Sequence, residues 1–116
     1  MKVILSRKGF DSSVGGHASP ILPDGRMVSL PIPSSIDRLS YSELGLPGSR
    51  TYADLIREID AGARIDGMGA HLDPDLVAAT RPRKRNWRPA LGQIGSAAGH
   101  LKNQHVGEGD LFLFYG

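Results

Sequence analysis

Glycine and proline punctuate this chain so closely that much of its backbone is expected to be irregular. The 15 glycines and 8 prolines make up about a fifth of the 116 residues. That is above ordinary usage, yet below the level that marks a collagen-like or wholly disordered chain. The length suits one small domain with a single hydrophobic core. With 40% apolar and only 6% aromatic residues, that core should be modest. The expected fold is α/β or α+β: a small mixed sheet, two main helices and long irregular loops.

Between the breakers, a few runs carry a clear period. Lys2 to Arg7 reads as a first strand, its nearly continuous Val3-Ile4-Leu5 suggesting burial on both faces. Pro23-Asp24-Gly25-Arg26 lies between Ile21-Leu22 and Met27-Val28, a hairpin signal, although Pro31 and Pro33 confine the second strand to an edge. Thr51 to Asp54 is an Asp variant of the capping box and opens the clearest helix, with Tyr52, Leu55, Ile56 and Ile59 as its apolar stripe and Gly62 as its stop. A short turn is expected around Asp75-Leu76-Val77. Residues 93 to 104 read as a second helix, weakened by Gly95 and Gly99 at roughly 1 kcal/mol each relative to alanine. Close approach of a backbone or ligand would explain those glycines; marginal order would also. Ile94, Ala98 and Leu101 are expected to form its buried face. Leu111 to Tyr115 reads as a very apolar last strand, one residue before the chain ends. A buried strand in that place suggests that 1–116 is the N-terminal part of a longer domain, a central strand at a natural terminus being the alternative.

Several classes of function drop out. Without cysteine there is no disulfide, thiolate nucleophile or thiolate metal site. Arg7 and Lys8 interrupt the apolar run after Leu5, so an export signal is not expected, and no stretch approaches the roughly 20 apolar residues of a membrane span. A cytoplasmic location follows by elimination. The net charge of +2 argues weakly for a polyanionic partner. Its distribution says more: from Arg81 to Arg88, five of eight residues are cationic and none is acidic. That run is either a solvated loop or an anion contact made by Arg83, Lys84, Arg85 and Arg88. Trp87 within it would stack on a base or pin the loop to the core.

Three further segments could carry chemistry. Asp11, Ser12 and Ser13 with Gly15 and Gly16 follow the first strand, where hydroxyls and amides can meet an anion; an Asx-type turn is the simpler reading. The spacing matches neither a dinucleotide fingerprint nor a P-loop. His71, Asp73 and Asp75 alternate, so an extended backbone would aim them to one side, as an oriented base or as part of a metal site. No third remote ligand is evident, so no metal is expected; Asp73 could instead cap the turn that Pro74 begins. Gln93, Ser96 or Ala97, His100 and Gln104 share a helix face suited to a base edge or sugar, or simply to solvent. His17 and His105 have no evident partner.

Taken together, MKVILSRKGFDSSVGG, SPILPDGRMVSLPIP, HLDPDL, and Trp87 followed by GQIGSAAGHLKNQHVGEGDLFLFYG resemble the third of the nucleotide-modification-associated domain families. These are bacterial and phage proteins inferred to make or handle modified bases in DNA. The similarity covers essentially the whole chain and is most specific from Lys8 to Ser13 and from Gln93 to Phe114. The resemblance implies a domain that continues beyond the terminal strand. It places family positions at Asp11, Ser12, Ser13, Arg26, His71, Asp73, Asp75, Gln93, His100 and Gln104, while His105 departs from the pattern. It names no cofactor.

The resulting expectation is an enzyme, or the N-terminal part of one, acting on a nucleotide or on bases in DNA. His71, Asp73, His100 and Asp11 would do catalytic work, and Ser12, Ser13, Arg26, Gln93 and Gln104 would bind substrate. Loop 8–16, segment 71–75 and helix 93–104 would then meet at one sheet edge. The alternative is a non-catalytic module recognising modified DNA through Trp87, the basic loop and the polar helix face. A complex-forming subunit, completed by another chain, is a third.

Overall fold

A computed structural model describes residues 1–11, 13 and 15–116; the candidate residue Ser12 lies outside the described residues. The capping signal at Thr51 forms as expected. The Thr51 hydroxyl accepts from the Asp54 amide at 3.2 Å, and the Asp54 carboxylate accepts from the Thr51 amide at 2.8 Å. These bonds satisfy amides that helix α1 (Tyr52–Ile59) would otherwise leave orphaned. Asp60 is the residue that ends the helix, and its carboxylate accepts from the Gly62 amide.

The apolar stripe of α1 builds the core. Tyr52, Leu55 and Ile56 are buried together with Leu30, Leu44 and Tyr41, the last held in a short 3-10 turn, Tyr41–Glu43. Tyr41 donates its hydroxyl to the Pro31 carbonyl at 2.6 Å and meets Phe10 edge-on, with ring centroids 6.2 Å apart. Burial pushes the Tyr41 phenol up, so the residue stays neutral in its donor role.

Among the described residues the strands fall into three pairs. β1 (Val3–Arg7) runs parallel to β6 (Leu111–Tyr115), with Val3 opposite Leu111 and Arg7 opposite Tyr115. β2 (Ile32–Ser34) runs antiparallel to β5 (Gly69–His71), and β3 (Gly45–Leu46) antiparallel to β4 (Arg50–Thr51). With helix α2 (Gly95–Asn103) and long loops, this is the small mixed α+β arrangement expected. The start of the parallel pair is clamped by Asp110, which accepts from the Lys2 amide at 2.7 Å and the Gly107 amide at 3.0 Å.

Three local expectations need correction. β1 is not buried on both faces: Val3 is 54% and Leu5 69% exposed, because only one side of the β1–β6 pair meets the rest of the chain. The Asp24-Gly25 hairpin is reduced to a turn and one bridge, Ile21 to Met27, with Gly25 at φ +84°. Helix α2 buries no residue and Ile94 is 89% exposed, so the expected buried face is at most partly covered, by Ala98 and Leu101. Gly95 adopts φ +59°, a conformation that favours glycine. Beyond its own helix, no described atom lies within 4 Å of a Cβ built on Gly99, so no close approach among the described residues accounts for that glycine.

Candidate functional site

The second strand pair sets up the chemistry. Gly69 sits in β5 against the backbone of Asp37, so closely that a Cβ there would overlap the Asp37 carbonyl. The Ser34 hydroxyl accepts from the Asp37 amide at 3.2 Å, fixing the turn that follows β2. Two residues beyond Gly69, His71 ends β5, and its Nδ1 lies 2.9 Å from Asp37 Oδ2. The Ser34 hydroxyl and then the His71 contact hold the Asp37 carboxyl below its usual range. An ionised carboxylate only accepts, so Nδ1 carries the proton in this contact, and Nε2 is the ring nitrogen left to meet other partners.

The carboxylate beside His71 is therefore Asp37, not Asp73. The expected extended run 71–75 is broken at once, since the Asp73 amide donates back to the His71 carbonyl at 3.1 Å. Asp73 instead accepts from the Gly92 amide at 2.9 Å. Asp75 pairs through its backbone with Ala90 and through its side chain with Arg83, whose two terminal nitrogens reach the two carboxylate oxygens at 2.6 and 2.7 Å. Asp37 was missed because it lies 34 residues from His71 in an unremarkable polar stretch; the Ser34-to-Asp37 turn spacing was its only local signal.

His71, Asp73 and Asp75 nevertheless share one cavity of about 540 Å³, together with Arg26. Its apolar walls include Leu46, Pro47, Tyr52, Leu72 and Phe114. A mostly apolar recess of this size with a few polar groups is the general form that small-molecule sites take. Arg26 is held by Asp24 through Nε at 2.7 Å, a contact that lowers the Asp24 carboxyl and raises the guanidinium. Burial, and then the charge of Asp75, push the Tyr52 phenol up, so that wall is a neutral hydroxyl.

The other candidates lie elsewhere. Gln93 lines an adjoining cavity of about 400 Å³ that shares Leu76 and Phe114 with the first. His100 and Gln104 line neither of these two cavities. Of the three segments expected to meet, Gly9 and residues 71–75 line the first cavity, and Leu101 of helix α2 lines the adjoining one. Asp11 forms the turn that was the simpler reading, accepting from the Ser13 amide at 2.8 Å and hydroxyl at 2.7 Å. His17, which had no evident partner in sequence, lies 3.2 Å from Asp60 Oδ2.

In the basic run, Arg83 is engaged internally. Besides Asp75 it donates to the Val77 carbonyl at 2.7 Å, and its guanidinium lies 4.1 Å from the Trp87 ring centroid. Trp87 is half-buried beneath it. Lys84, Arg85 and Arg88 are exposed. Among the described residues no three His, Asp or Glu side chains are grouped to hold a metal ion, and no helix is long and apolar enough to cross a membrane.

Comparison with known proteins gives no match among curated proteins and none among solved structures. The sequence profile described as "Nucleotide modification associated domain 3" matches residues 2–116. The chain belongs to that family.

Proposed function

We propose that the cavity around His71 takes a nucleotide, or a base presented by DNA, and that His71 performs acid–base chemistry there. The observation that carries the reading is the His71–Asp37 contact at a residue lining the cavity. Asp37 fixes the ring and its tautomer and would stabilise the imidazolium formed when Nε2 takes a proton from a substrate N–H or O–H. The apolar walls suit the faces of a base, while Arg26 and the Asp73 carboxylate offer one donor and one acceptor group at its edges.

The test is incubation of the protein with native and modified DNA and with free nucleotides, in the presence of common group donors, read by nucleoside mass spectrometry. An oriented imidazole contributes about 10²- to 10⁴-fold in rate. His71→Gln should therefore abolish detectable turnover while nucleotide binding stays within about threefold, and Asp37→Asn should give an intermediate loss. Turnover unchanged in His71→Gln would overturn the reading.

A further inference from the structure

We infer that the turn from Lys84 to Arg88 docks the phosphate backbone of a polynucleotide, so that the substrate is a strand rather than a free mononucleotide. This rests on the cavity reading for the word substrate, but the docking itself stands on separate residues.

Five cations occupy this run, and the structure divides them into two sets. Arg83 and Arg81 face Asp75, at 2.6 and 3.7 Å. Lys84, Arg85 and Arg88 are exposed, and among the described residues none lies within 4.0 Å of a carboxylate oxygen. These three are therefore available to an external anion without first breaking an ion pair.

The turn that displays them is held at both ends. The Trp87 amide donates to the Lys84 carbonyl at 3.1 Å, and Asn86 takes φ +63°, the left-handed conformation that Asn tolerates better than most residues. On one side Arg83 grips Asp75; on the other, Trp87 lies against that same guanidinium. A contact surface ordered beforehand loses less entropy on binding.

Position then separates a strand from a monomer. Asp75, Val77 and Thr80, which bond Arg83, all line the 540 Å³ cavity, so the turn is fastened to the wall of the candidate site. Lys84, Arg85 and Arg88 do not themselves line it. A mononucleotide seated in the cavity would leave them idle, whereas the flanking phosphates of a strand would use them. Phosphodiester contacts position without reading sequence, so DNA and RNA backbones should both be accepted.

Fluorescence anisotropy with labelled single-stranded 12-mers, DNA and RNA of one sequence, tests this across a potassium chloride series. Three phosphate contacts predict a slope of log affinity against log salt of about −2, or roughly 20-fold weaker binding at 200 mM than at 50 mM. Lys84→Gln/Arg85→Gln/Arg88→Gln should remove most of that slope and weaken binding at 50 mM at least tenfold. Its circular dichroism should match that of the unaltered protein, and its affinity for a deoxynucleoside monophosphate should not change. The inference is overturned if the triple variant keeps the affinity and slope, or if the monophosphate binds as tightly as the 12-mer. Should the strand bind as predicted while His71→Gln leaves turnover untouched, the docking turn stands and the acid–base reading falls.

Discussion

Replacing Arg83 by methionine tests how the basic run is anchored to the candidate site. Exposed ion pairs contribute about 0–1 kcal/mol, whereas removing one partner of a buried pair costs about 3–5 kcal/mol because the remaining charge is stranded. The Arg83 and Asp75 side chains are only 10% and 16% exposed, which places the pair near the buried limit. Arg83 also bonds the Val77 carbonyl and the Thr80 hydroxyl; in the variant the hydroxyl loses its donor, while Val77 keeps the bond from Thr80. Methionine keeps part of the stem that covers Trp87, so the expected loss is about 3 kcal/mol. At a urea slope of about 1.5 kcal/mol per molar, the unfolding midpoint should fall by about 2 M. Asp75→Asn alone should be comparably harmful. The double variant should be less unstable than the sum by at least about 1 kcal/mol, since each single variant already removes the same bidentate pair. A midpoint shift corresponding to less than about 1 kcal/mol would refute the reasoning, because the pair would then behave as a surface one.

Other outcomes follow from the same geometry. Leu44→Ala removes a fully buried side chain beside Tyr41 and Tyr52 and should cost about 3 kcal/mol by denaturant unfolding. Gly69→Ala should displace the Asp37 carbonyl and separate Asp37 from His71, visible as loss of the fixed His71 tautomer in nitrogen-15 spectra. Acid should destabilise the fold through Asp37, Asp54 and Asp110, whose carboxyls are held below the ordinary 3.8 chiefly by the Ser34 hydroxyl, the Thr51 amide and the Lys2 amide. The unfolded chain binds more protons than the native state in that range. The urea midpoint should thus hold from pH 7 to about 5, then fall as pH drops through about 4 and on toward the lower native values.

What could be read from the sequence is what local bonds decide. Thr51 and Asp54 are three residues apart and cap α1 whatever the rest of the chain does. The existence of β1 and β6 was legible from their apolar runs, but their parallel pairing joins residues 108 positions apart and left no local trace. The same distance hid their one-sided burial, since Val3-Ile4-Leu5 looks the same whether one face or two is covered. At the site, His71 was legible as a reactive side chain and its partner was not. Alternation with Asp73 assumed an extended backbone, and the bond from the Asp73 amide to the His71 carbonyl removed that assumption. That Arg83 pairs with Asp75 and lies over Trp87 was equally hidden, because those contacts depend on the fold and not on spacing.

The central claim is that His71, fixed by Asp37, serves the cavity in which a nucleotide or base is seated. A long-range proton–nitrogen-15 spectrum of the His71 ring, recorded while a deoxynucleoside monophosphate and then a short DNA strand are titrated in, addresses it directly. The account predicts a proton held on Nδ1, an Nε2 resonance that moves with saturation by the ligand, and loss of the Nδ1 preference in Asp37→Asn. A ring protonated at Nε2 and not at Nδ1, or an Nε2 resonance that stays still while ligand perturbs residues remote from the cavity, would contradict it.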